Sequence, residues 1–429
     1  MTENTFSGFH KKKVSERQEI IKEAVQLSDE ENASLSNGSL DLETANRMIE
    51  NVIGLHSLPL GLATNFLINK KEYLVPMVIE EPSVVAAASF AAKLCRSTGG
   101  FTASASDPIM IGQIQLVEIP DLEKAIESLE KEKESIIEYA TSVDPMVLVK
   151  YGGGLRDIEF RVIESERGSF LVIHLLVDVR DAMGANAVNT LAETLAPRFE
   201  KISGGKVRLR IISNLAVNRT ASAKAIWTQK ELESSTKGKF KGKEIVERIL
   251  DAFAFADSDP FRAATHNKGI FNGIDSCVIA TGNDWRAVEA GAHAFASMKG
   301  SYKSLTRYHK NENGDLVGEI ELPLAVATIG GATATHPSAK IARKILGVTS
   351  AQELSCVIAS LGLAQNFAAL RALATEGIQK GHMRLHARNT AVMAGAKSEE
   401  IDLIAKKLAD EGKVRVDRAK ELLEELRGK

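Results

Sequence analysis

Between residues 109 and 213 strand-like and helix-like patterns follow one another in the order β-α-β-β-α-β, and few folds accommodate that order. Ile109 to Val117 reads as a strand, and Pro120-Asp121 opens a strongly amphipathic helix. The apolar stripe of that helix is Leu122, Ala125, Ile126, Leu129, Ile136 and Ile137. Ile158 to Ile163 and Ser169 to Val177 are two further strands with Glu166-Arg167-Gly168 turning between them. A helix from about Ala182 to Phe199 and a strand from Val207 to Ile212 close the unit. The pattern predicts a split βαβ, or ferredoxin-like, domain inserted into a larger body.

The flanking sequence differs in texture. Residues 15–56 read as helix, with Ser15 and Gln18 at capping-box spacing. Tyr73 to Ile79 is β-rich and stops at Glu80-Glu81-Pro82-Ser83, where Pro82 suits a first helical position. An alanine-rich helix spans about Val84 to Cys95, and the Thr/Ala/Ser stretch running to Pro108 reads as a hinge. Residues 218–375 read as helix-dominated, including a helix from Glu244 to Phe255 and a loop at Gly330-Gly331-Ala332-Thr333. The last ~50 residues read as a small helical appendage with Gly377, Gly381 and Gly395 as hinges. The expected class is α+β: a large helix-dominated domain (1–108 and 218–375), the inserted domain (109–217) and a C-terminal flap (376–429).

Composition narrows the function. A length of 429 residues allows two or three domains. A formal net charge of -2 with 26% charged residues points away from nucleic acid and acidic membranes as partners. The N-terminus lacks the charged-then-apolar layout of a signal peptide, and no window approaches ~20 uninterrupted apolar residues, so no membrane span is expected. Cys95, Cys277 and Cys356 are far apart, which fits a reduced cytoplasmic setting and packing roles.

Candidate chemistry concentrates between Arg262 and Arg286. Thr265-His266-Asn267-Lys268-Gly269 and Asn272-Gly273-Ile274-Asp275 read as loop, followed by an apolar strand and Thr281-Gly282-Asn283-Asp284-Trp285-Arg286. A lysine held near a carboxylate in a shielded place is suited to stabilising a developing oxyanion. A solvated lysine and an Asp284 helix cap are the plainer alternatives. Glu81 either complements a helix dipole or donates a proton. Those demands conflict unless Lys268 and Asp284 share its proton. His382 and His386 have metal-compatible spacing but lack a third ligand, so no metal site is expected. A histidine on a mobile appendage suits late proton donation. Gly152-Gly153-Gly154 and Asp181-Ala182-Met183-Gly184-Ala185-Asn186 are weak phosphate-binding signals, the second because it opens a helix.

Six segments, taken together, resemble one family. They are Glu50-Asn51-Val52-Ile53-Gly54, Glu80-Glu81-Pro82-Ser83, Asp181 to Asn186, His266-Asn267-Lys268-Gly269, Gly282-Asn283-Asp284-Trp285 and Gly381-His382-Met383. In order and wording they are similar to the class II 3-hydroxy-3-methylglutaryl-coenzyme A (HMG-CoA) reductases, from about residue 40 onward. The resemblance implies reduction of the HMG-CoA thioester to mevalonate and coenzyme A with two hydrides from NAD(P)H, or the reverse.

It also implies roles. Glu81, Lys268, Asp284 and His382 would be catalytic, and Ser83, Asn214, Arg262 and Asn272 would grip the substrate. Asp181, Met183, Gly184 and Asn186 would hold the dinucleotide. Asp144 matches a position near the adenosine ribose, where a carboxylate favours NADH over NADPH. Lys11-Lys12-Lys13 stands where an arginine for coenzyme A is expected. Homodimers with interfacial active sites follow from the same likeness, the Glu50–Gly54 segment matching an interface. Two rivals are a non-catalytic coenzyme A- or nucleotide-binding paralogue and a dehydrogenase with a Cys277 or Cys356 nucleophile.

Overall fold

The computed structural model describes residues 6, 8–37, 40–375 and 377–428, without the side chains of 37 and 378–385. Among the described residues ten strands form two sheets: β1 Leu60–Ile68, β2 Lys71–Val78, β3 Phe101–Ala105, β4 Ile109–Val117, β5 Gly154–Ile163, β6 Phe170–Asp178, β7 Lys206–Ser213, β8 Thr220–Trp227, β9 Thr306–Lys310 and β10 Leu316–Pro323. The four-stranded sheet has the order β5-β6-β4-β7, antiparallel throughout. With the helices Leu122–Val143 and Ala185–Ser203 it is the ferredoxin-like plan. Asp121 caps the first helix by accepting from Lys124 N at 3.1 Å, and Ala125, Leu129 and Ile136 of the expected stripe are buried.

The larger body holds a sheet that the sequence reading missed, in the order β2-β1-β3-β8-β10-β9. The stretch read as a hinge is in fact β3, paired in register with β8 from Phe101↔Ala225 to Ala105↔Ala221. Its covering layer is the helix Ala351–Ala374, whose Phe367 stacks on Trp227 with ring centroids 3.8 Å apart. This helix is apolar and long enough to cross a membrane, yet it is the buried axis of the larger body.

Residues 15–56 form three helices, Val14–Val25, Asp29–Asn37 and Leu42–Met48, and not a single one. The first is capped two residues earlier than expected, with Lys13 N donating to the Glu16 carboxylate at 2.7 Å. Residues 52–59 have no regular structure, and Ile53 is fully exposed. Helices Ile378–Met393, Glu399–Glu411 and Val416–Arg427 share a core of their own, including Ala391, Ile404, Leu408 and Leu422. Gly377 and Gly395 lie at ends of the first of these helices, whereas Gly381 lies inside it.

Candidate active site

The segment carrying Lys268 is one continuous helix, Pro260–Ala280, and not a loop followed by a strand. Asp259 caps it, accepting from Arg262 N at 2.8 Å, and Pro260 fills the first turn. Its glycine at 273 serves packing: a Cβ there would come within 3.0 Å of Gln365 Cβ on the core helix. Gly362 on that helix approaches Ile274 in the same way. The buried side of the lysine helix is pinned by two polar residues of the His266-Asn267-Lys268 motif. His266 Nε2 meets Thr306 Oγ1 at 2.7 Å, and Asn267 donates to Lys303 O at 2.8 Å while accepting from Leu305 N at 3.0 Å. Burial pushes the His266 pKa down to about 3, so its imidazole is neutral. Lys268 points outward from this anchored strip, with Asn272 one turn later and open space beside Gly269.

Glu81 reaches the lysine from the connection between β2 and the helix Val84–Leu94. Ser83, not Pro82, precedes that helix, in left-handed backbone (φ 74°), and its hydroxyl donates to Pro82 O. This tight turn brings the Glu81 carboxylate to 3.3 Å from Lys268 Nζ, across 187 residues of sequence. Lys268 is 64% exposed and Glu81 34% exposed. The shielding expected of the lysine is therefore absent from the single chain.

Asp284 takes the plainer of its two readings in this state. Its Oδ1 caps the helix Trp285–Ser297, accepting from Ala287 N at 3.1 Å, and lies 3.5 Å from Arg286 Nη2. Lys268 pairs with Glu81 and Asp284 with Arg286, so the expected triad is only two-thirds assembled. The capped helix positions another predicted residue. At Gly291 a Cβ would stand 2.4 Å from Asn214 O, so glycine lets the helix press on the Asn214 loop. Burial lowers the pKa of Arg262. The side chain of His382 lies outside the described residues.

In the inserted unit, Asp144 ends the helix Leu122–Val143 and accepts from Leu148 N at 2.8 Å and Val149 N at 3.0 Å. It borders a small cleft with Met146, Leu155, Ala187 and Leu191. Asp181 does not point freely at solvent: its Oδ1 accepts from Ala351 N at 2.7 Å, capping the core helix. Gly184 (φ 99°) then leads into Ala185–Ser203, where Asn186 is exposed. The Gly152–Gly154 run is a tight connection whose Gly152 carbonyl accepts from Arg156 and Arg180.

Arg219 escaped the sequence reading, because a lone arginine before a strand carries no signal of burial. It is 4% exposed and donates to the carbonyls of Ala182, Met183 and Val326. Burial brings its pKa down to about 10, which leaves it cationic at neutral pH.

A buried thiol cannot replace the lysine–acid pair. Cys277 is fully buried and its pKa is pushed up to about 12, whereas a nucleophilic cysteine needs a depressed pKa. Burial and the neighbouring Glu353 also raise the pKa of Cys356.

A ferredoxin-like unit beside a larger body that holds a lysine–carboxylate pair is the architecture of a nicotinamide-dependent oxidoreductase family, and the comparisons identify which. Residues 13–387 match the family described as hydroxymethylglutaryl-coenzyme A reductase, and the chain belongs to that family. It is 57% identical over 420 residues to 3-hydroxy-3-methylglutaryl-coenzyme A reductase of Archaeoglobus fulgidus, covering 98% of this chain and 94% of the relative. A probable reductase of the same name from Borreliella burgdorferi is 38% identical, covering 88% of this chain and 85% of its own. Among solved structures, the reductase of Streptococcus pneumoniae superposes with a TM-score of 0.83 at 43% identity, over 98% of this chain and 99% of that one. The class II enzyme of that organism bound to NADPH in open conformations gives 0.82 at 45% identity, over 86% and 100%.

Proposed function

We propose that the chain interconverts HMG-CoA with (R)-mevalonate and coenzyme A, through mevaldyl-CoA and mevaldehyde. The observation that carries this reading is the 3.3 Å contact between Lys268 Nζ and the Glu81 carboxylate, on a helix otherwise locked into the core. When bound, a nicotinamide cofactor supplies the two hydrides. Lys268 stabilises the oxyanion as charge develops on the thioester oxygen. Glu81, paired with it, gives a proton to the aldehyde oxygen in the second reduction. Asp284 tunes that proton once it is turned toward the lysine, and His382 protonates the departing thiolate. Arg262 offers a fork to the substrate carboxylate, with Ser83, Asn214 and Asn272 taking its hydroxyl and carbonyl groups. The basic Lys11-Lys12-Lys13 run receives coenzyme A phosphates.

The dinucleotide fits the inserted unit, residues 109–217, which we read as the cofactor domain, with 1–108 and 218–375 as the substrate body and 376–429 as the flap. Asp181, Met183, Gly184 and Asn186 hold the dinucleotide, with its diphosphate at the helix N-terminus. Each Asp144 oxygen already accepts one backbone N–H, and a carboxylate retains further acceptor sites for a ribose hydroxyl while repelling a 2′-phosphate. NADH is therefore the preferred cofactor. We read the protein as a cytoplasmic homodimer, in which Lys268, 64% exposed in the single chain, is covered. A second copy laid over Ile49, Ile53 and Leu55, which are 65%, 102% and 46% exposed, would cover apolar surface, and on this reading the same copy shields the lysine.

Absorbance at the nicotinamide band tests this reading, with HMG-CoA and each cofactor in turn. NADH should be oxidised at the higher kcat/KM, and Asp144→Gly should move the ratio toward NADPH by about tenfold. An unchanged ratio rejects the ribose contact, and oxidation of neither cofactor rejects the whole reading.

A further inference from the structure

Arg219 is a cation with no surface role. It stands immediately before β8, and its guanidinium crosses to the inserted unit. There Nη1 donates to Ala182 O at 3.0 Å and Met183 O at 3.2 Å, while Nη2 donates back to Val326 O at 2.6 Å in the larger body. Two more bonds fasten the same turn. Thr328 N donates to Asp181 O at 3.0 Å, and Ala351 N to Asp181 Oδ1 at 2.7 Å.

The geometry has a directional consequence. In a trans peptide the C=O of one residue and the N–H of the next point to opposite sides, and the chain has no cis peptide bonds among its described residues. Drawing the carbonyls of Ala182 and Met183 toward Arg219 therefore turns the N–H groups of Met183 and Gly184 away from it. No acceptor among the described residues takes either N–H. The left-handed backbone at Gly184 (φ 99°) carries this orientation into the start of the Ala185–Ser203 helix, whose own first N–H groups are free in the same way. Successive amides aimed to one side make an anion-binding concavity.

We propose that Arg219 is a positioning residue for the dinucleotide: it holds the Asp181–Gly184 turn carbonyls-inward, so that the amides meet the diphosphate. This rests on the assignment of that turn to the cofactor. Arg219 touches no ligand and acts through the backbone. A lysine keeps the charge but lacks the planar fork that reaches the turn carbonyls with one nitrogen and Val326 O with the other, so it restores the function in part.

The test uses the full-length enzyme with Arg219→Lys, Arg219→Met and, as control, Asn186→Ala at an exposed position in the first turn of the helix that follows. KM is measured for NADH and for HMG-CoA, together with the Kd of NADH from its fluorescence. Arg219→Met should raise the NADH KM and Kd by about tenfold or more, and Arg219→Lys by less. The HMG-CoA KM should stay within about twofold in both. If Arg219→Met does not fold, Arg219→Lys carries the same comparison. Equal rises in the two KM values mark general loosening and overturn the proposal, as does an unchanged NADH KM in both arginine variants. Should Asn186→Ala leave the NADH KM unchanged, the cofactor assignment of the turn fails. A rise in Asn186→Ala without one in the arginine variants sinks the Arg219 role alone.

Discussion

The proposed dinucleotide turn and the proposed catalytic lysine are built to opposite standards within one chain. The turn is fixed by a buried arginine, a capping aspartate and a backbone bond from Thr328 of the larger body. Lys268 has a single ion pair at 3.3 Å and is 64% exposed. An exposed pair of that kind contributes roughly 0.2–1 kcal/mol, too little to hold a charge in one place. Hydrogen bonds to a buried cation are worth several times more. One site is thus organised by the fold of a single chain, while the other has its helix locked and its charge left to be covered.

That contrast can be broken at the surface that would provide the cover. Ile53→Asp should give a monomer by sedimentation and lower kcat by about a hundredfold or more, since the lysine then works in water where its field is screened. The Kd for NADH should stay within about twofold. A fully active monomer would show that Lys268 needs no second copy.

A smaller effect sharpens the same comparison from the buried side of the lysine helix. His266 is held neutral, with a pKa near 3 against an ordinary 6.5. The unfolded chain binds this proton and the folded chain does not, so stability is full above pH 6.5 and is lost as pH falls toward about 3. Thermal unfolding followed from pH 7 to 4 should show this slope flattened in His266→Gln. An identical slope in both proteins would mean that His266 is not the group being charged.

The inserted unit was legible because its strands and helices are long and bury large residues at regular intervals. The larger sheet was not, and its strands show why. In β8 the buried positions are Ala221, Ala223, Ala225 and Trp227, and the mean strand signal of alanine is low. Small residues stand there because the core helix lies close over the strand. The lysine helix was misread for a related reason. Gly273 serves close helix crossing, yet in sequence it reads as a turn, and the apolar run after it imitates a strand. The six family segments named Glu81 and Lys268, which the fold brings within 3.3 Å of each other. They did not show that Asp284 caps a helix and pairs with Arg286, because such pairing depends on side-chain directions that spacing does not encode. Arg219 was invisible for want of any local pattern.

The role of Lys268 itself is tested most directly by Lys268→Ala, assayed with HMG-CoA and NADH alongside a thermal melt. Its exposure predicts an unchanged melting temperature, and its charge predicts a loss in kcat on the order of 10²–10³. Turnover near that of the unaltered enzyme, in protein that melts normally, would contradict the account.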